Sequence, residues 1–276
     1  MNIRSVIPLV AATLLAIVPA LSAQAADRAK LRAFLEITGF DVAITSMQQG
    51  AMAGPGMAGA APDEFGAQWV RLAEKIFDPD EMLNRSLDML EAVMPDDLVD
   101  HGAAFYASDL GQRLVAVENE SHMVASAVKD AEAARILDAL SSEGSARIDQ
   151  YRAMNNAIGG VESNLRAVIE IQVRYLMAAM NAGSVDFEMS EADLRGIFQS
   201  QAPQLRQGIE INGIMGGAYA YRDISDADVT AYVAALENPK MRQVYEILNA
   251  VQFEIMAERY ERLATALADL SPQQDI

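Results

Sequence analysis

The two histidines are the first place to look for proton transfer or metal binding. His101 stands four residues after Asp97, and His122 four after Glu118, so each can share a helix face with a carboxylate. That spacing suits half of a metal site or an acid–base pair, and equally a surface ion pair. Two-metal helical bundles use Glu-x-x-His twice, and neither histidine here has Glu three residues before it. The ion pair is therefore the better reading. Cysteine is absent, and no G-x-S-x-G or H-E-x-x-H pattern occurs. The sequence thus points away from an enzyme and predicts neither a metal nor a cofactor.

Methionine offers a second chemistry, because thioethers are soft ligands for Cu(I). Of 15 methionines, Met47, Met52 and Met57 are evenly spaced, and Met177 and Met180 are neighbours on one helix face. Met also fills gaps in helical cores and lines adaptable binding surfaces, and that reading is preferred. Residues 50–62 form a Gly/Ala/Pro/Met stretch without the G-K-[ST] ending of a phosphate-binding loop, so a flexible connection is expected.

The elements that position these groups all read as helix. Apolar residues recur at three- and four-residue intervals, and no period-two run bounded by turn residues stands out. Helices are predicted over residues 27–49, 63–76 and 80–93, with a short one opening at Pro95 and another running from Ser108 towards Leu140. A long helix over 145–181 can kink or split at Gly159-Gly160. Helices over 190–201, 204–220, 225–236 and 238–269 complete the chain, and 271–276 is expected to fray. Gly102, Gly111, Gly213, Gly216 and Gly217 fall inside helical patterns, which calls for close helix packing or a mobile gate over an apolar groove.

A shift of 130 residues superimposes Val99, Gly102, Ala103 and Tyr106 on Val229, Tyr232, Val233 and Leu236. Both sets are the i, i+3, i+4, i+7 stripe of one helix. The same shift places Ser108 on Asn238, two good N-cap residues. Leu31–Ile37 resembles Leu165–Ile171 at a shift of 134. The predicted fold is all-α without a sheet: two related helical units packed as one body, the first over 26–140 and the second, more divergent, over 141–270.

Arg4, the apolar run 6–21 and the A-x-A at Ala23-Gln24-Ala25 read as a signal peptide cleaved after Ala25. An exported, periplasmic chain is expected. The absence of cysteine removes both disulfides and a lipoprotein anchor, and no later apolar stretch is long enough to cross a membrane. Acidic residues number 39 against 21 basic ones, for a formal net charge of −18. A field of that sign repels phosphate backbones, so nucleic acid is an unsuitable partner.

Phe105-Tyr-Ala-Ser-Asp-Leu-Gly-Gln-Arg-Leu114, preceded by the acidic start Met94-Pro-Asp-Asp-Leu98, resembles the signature of domain of unknown function 2059, an exported bacterial family. Leu35-Glu-Ile-Thr-Gly39 is similar to the family's opening segment, and the resemblance spans about residues 31–124. It implies a helical envelope protein and no transferable activity. Phe105, Tyr106, Ser108, Gly111, Gln112 and Arg113 become the candidate binding residues. The functional expectation is a non-enzymatic interaction or scaffold protein that holds envelope proteins on a helical groove or face. The alternative is a carrier of a small apolar molecule between helices.

Overall fold

The computed structural model describes residues 27–52, 66–185 and 187–268. The expected signal peptide, the stretch 53–62 and the tail 271–276 lie outside these residues. Among the described residues the regular structure is helical, with no strand, as the periodicity requires.

Asp27 caps α1 (Arg28–Thr38) by accepting a 2.9 Å bond from the Lys30 amide. The single helix expected over 27–49 does not form. Gly39 takes φ +74° and closes α1, and the chain restarts as α2 (Phe40–Thr45) and α3 (Met47–Met52). Gly50 to Met52 thus belong to a helix rather than to the expected loop. Trp69 anchors α4 (Gly66–Ile76) by donating from Nε1 to the Ala51 carbonyl at 2.8 Å. Asp78 caps α5 (Pro79–Val93), where Pro79 at the first turn forfeits no helical bond.

Next come α6 (Asp96–Tyr106) and α7 (Asp109–His122). The helix expected to continue from Ser108 towards Leu140 ends at His122, and the chain turns into α8 (Ser126–Ser142), which packs on the later half of the chain. Gly159, at φ +124°, divides α9 (Arg147–Ala157) from α10 (Gly160–Ala182). Two helices were expected around Pro203, yet α11 (Glu191–Ala220) runs through it unbroken. An interior Pro costs about 3 kcal/mol, and packing of α11 along α8, α9 and α10 offsets that local loss. α12 (Asp226–Leu236) and α13 (Pro239–Leu267) close the fold, capped by Ser225 and Asn238.

One continuous apolar core runs from Leu31 to Leu263. α13 packs against α4, α5 and α6 as well as α10, so the halves of the chain share this core. Helices α6 and α12 have equal length, and their first residues, Asp96 and Asp226, are separated by the same 130 positions as the sequence match. The two corners also exchange ion pairs. Arg113 of α7 reaches Asp228 of α12 at 2.8 Å, and Lys240 of α13 reaches Asp97 of α6 at 2.8 Å.

Gly111 sets how tightly the first corner closes. A Cβ there would lie 2.4 Å from the Phe105 carbonyl oxygen and 2.5 Å from Tyr106 Cα, both backbone atoms that cannot swing aside. Close packing is thus the reason for this glycine, and likewise for Gly102, whose missing side chain leaves room for the Phe34 ring. Gly111→Ala is expected to cost about 2 kcal/mol and lower the melting temperature by about 4–8 °C in a thermal melt.

Candidate functional site

A carboxylate on the apolar stripe of a helix is costly unless something inside the fold receives it. Glu118 is such a group. It follows Gly111 and Leu114 at i, i+3, i+7 along α7, and both of those residues are buried. Its Oε1 accepts from the hydroxyl of Tyr221 at 2.6 Å and from that of Tyr232 at 3.0 Å. Tyr232 is also in hydrogen-bond contact with the hydroxyls of Tyr106, at 3.1 Å, and Tyr245, at 3.2 Å. A Tyr106–Tyr245 hydroxyl pair closes the ring. Four tyrosines from α6, the end of α11, α12 and α13 therefore converge on one acid from α7.

Three of the four tyrosines are aimed by further contacts. Tyr232 stacks on Phe105 with ring centroids 5.9 Å apart and planes 5° from parallel. Tyr245 meets Phe40 edge-on. Arg147 is buried and holds the turn after α11: it donates to the Tyr221 carbonyl at 2.9 Å and to the Ile224 carbonyl, and it pairs with Asp226 at 2.7 Å. That grip fixes where the Tyr221 ring enters the core.

Burial pushes the Glu118 pKa up to about 7, against the downward pull of its two hydroxyl donors. Burial also raises Tyr106, Tyr221 and Tyr232 well above the ordinary phenol range, so at neutral pH all three keep their protons as donors. Among the described residues nothing donates to Glu118 Oε2. Glu118 is only partly buried because it lines a cavity of about 380 Å³. The cavity sits between α1–α2, α7, α9, α11 and α13, with Lys129 of α8 on its wall. Asn155, Asn249 and Gln252 add carboxamides.

The glycines of α11 divide their work here. Gly213 and Gly217 let the helix press on Asn155 and Tyr151, where a Cβ would stand 2.4 Å and 3.0 Å from the nearest side-chain atoms. Gly216 has nothing within 4 Å of a Cβ and fronts the cavity.

None of the six candidate binding residues lines this cavity. Tyr106 and Phe105 brace it from behind, through a hydroxyl and a ring stack. Ser108 caps α7 by accepting from the Gly111 amide at 3.1 Å, Gln112 donates to the Ala107 carbonyl, and Arg113 holds Asp228. These four serve the corner. The expected histidine ion pairs do not form: among the described residues neither His101 nor His122 pairs with a carboxylate. Glu118 turns inward to the tyrosines instead, and His122 lies at the cavity edge. Among the described residues no cluster of three or more His, Asp or Glu side chains could hold a metal ion, and no helix is long and apolar enough to cross a membrane.

The family described as uncharacterized protein conserved in bacteria, domain of unknown function 2059, matches residues 80–139. That segment contains the first corner and Glu118, in agreement with the resemblance read from the motif. No curated protein and no solved structure matches the chain.

The raised Glu118 pKa fixes a sign for stability. The folded state holds this proton more tightly than the unfolded chain, so its contribution is full below the ordinary glutamate range and is lost as pH rises through about 7. Glu118→Gln keeps an acceptor for the tyrosines and removes the ionisation. Melting temperatures of the two proteins should coincide near pH 4, separate as pH rises from the ordinary glutamate range to about 7, and stay apart above it, with the variant the more stable.

Proposed function

We propose that this chain is a non-enzymatic binding protein of the bacterial cell envelope that holds a small polar molecule in the Glu118 cavity. The open Glu118 Oε2 carries the reading. Glu118 Oε1 is taken by two tyrosine hydroxyls, while Oε2 belongs to a carboxylate that lines the cavity and can accept from a ligand there. The envelope location rests on the leader-like N-terminus.

Glu118, Lys129 and the carboxamide wall suit a polar occupant better than the apolar one that the sequence offered as the alternative. Binding rather than catalysis is favoured because the hydroxyls around the acid are tied to it and to one another. An activated nucleophile would need its own base.

The scaffold expectation retains a separate support. Met177, Met180, Met189 and the exposed Ile197 border a shallow groove between the end of α10 and the start of α11. Methionine-lined grooves of this kind adapt to protein partners.

Gly216→Leu separates ligand binding from folding. The change removes a helix-interior glycine, worth about 0.8–1 kcal/mol in propensity, and its side chain enters the cavity. Native mass spectrometry of protein purified gently from envelope extract should show a small-molecule adduct on the wild type and none on Gly216→Leu, with the variant at least as heat-stable. An adduct of equal mass on both would place the ligand elsewhere, and a bare wild type would overturn the reading.

A further inference from the structure

The cavity carries opposite charges on different helices. Glu118 presents an open carboxylate oxygen from α7, and Lys129 lines the same cavity from α8. Among the described residues Lys129 forms no ion pair, although acidic residues outnumber basic ones nearly two to one in this chain. Lys129 and Gly216 also border an adjoining recess, with Ser121, Ser126 and Asp130. The same cavity is lined by Asn155 and Gln252, whose carboxamides make no hydrogen bond to any described residue.

A ligand of one charge would satisfy one end and face repulsion at the other. A cation suits Glu118 and is repelled by Lys129; an anion meets the reverse. A neutral polyol leaves both charges unmatched. Only a dipolar molecule meets both, and burial strengthens each contact because the low local dielectric screens it less. The volume of about 380 Å³ falls at the small end of ligand pockets. It suits a single amino acid better than a longer peptide.

Resting on the binding function argued above, we propose that the ligand is a small zwitterion of the amino-acid class. Its ammonium donates to Glu118 Oε2, and its carboxylate is held by Lys129 at the mouth. The carboxamides of Asn155 and Gln252 then read the remaining polar atoms. Ammonium binding favours the ionised form of Glu118. The other ionisable groups on the cavity are Tyr221, Tyr232 and Tyr245, which burial keeps protonated, the Lys129 ammonium, and His122. Burial and Lys129 hold His122 below the ordinary imidazole range, so binding should strengthen as pH rises from 6 to 8.

The twenty common amino acids, each at millimolar concentration, provide the screen by thermal shift. The best binder is then compared by calorimetry with its decarboxylated amine and its deaminated acid. The proposal expects at least one amino acid to bind, with both single-charge analogues weaker by ten-fold or more. Glu118→Gln and Lys129→Gln should each lose ten-fold or more, and Gly216→Leu should abolish binding while remaining folded. An amine or acid that binds as tightly as the zwitterion would overturn the proposal and leave the binding function standing. So would an adduct that lacks either charge in native mass spectrometry. No binder in the screen together with a bare native mass would overturn both.

Discussion

Glu118 and the hydroxyls of Tyr106, Tyr221, Tyr232 and Tyr245 form the polar junction between the two halves of this protein, within the apolar core that they share. The acid comes from α7, while three of the tyrosines come from beyond residue 220. A charge so placed is tolerated only because the later half delivers donors to it. The packing around it serves that meeting. Gly111 lets α7 cross the end of α6 closely, Arg147 fixes the turn that aims Tyr221, and Phe105 supports the Tyr232 ring.

The same arrangement links the family-matched segment to the rest of the chain. Residues 80–139 supply the corner and Glu118, yet the cavity is completed by α9, α11 and α13. Corner and cavity thus do different things. Ser108, Gln112 and Arg113 satisfy helix ends and tie α7 to α12, which explains a recognisable motif without requiring that it touch a ligand. The reciprocal pairs Arg113–Asp228 and Lys240–Asp97 tie each corner to the other.

Much of this was legible in the sequence. Helical periodicity, the caps at Ser108 and Asn238, and the 130-residue correspondence between α6 and α12 follow from local rules. Breaks set by tertiary packing were not. The positive φ of Gly39 ends α1 early, and Pro203 is carried inside α11 by its neighbours, against its own preference. The site was harder still. Its tyrosines lie far apart along the chain, and Glu118 drew attention as a partner for His122. The usable signal was its place on the Gly111–Leu114 stripe, where a carboxylate must either find buried donors or disrupt the core.

Titration of Glu118 decides whether it is an acid held by tyrosines at the edge of a cavity, out of bulk water. Carbon-13 NMR of the glutamate carboxyl groups, followed from pH 3 to 9, should show one resonance with a midpoint near 7 that vanishes in Glu118→Gln. If every glutamate titrates in the ordinary range below about 5, Glu118 is solvated in solution and the account of the site fails.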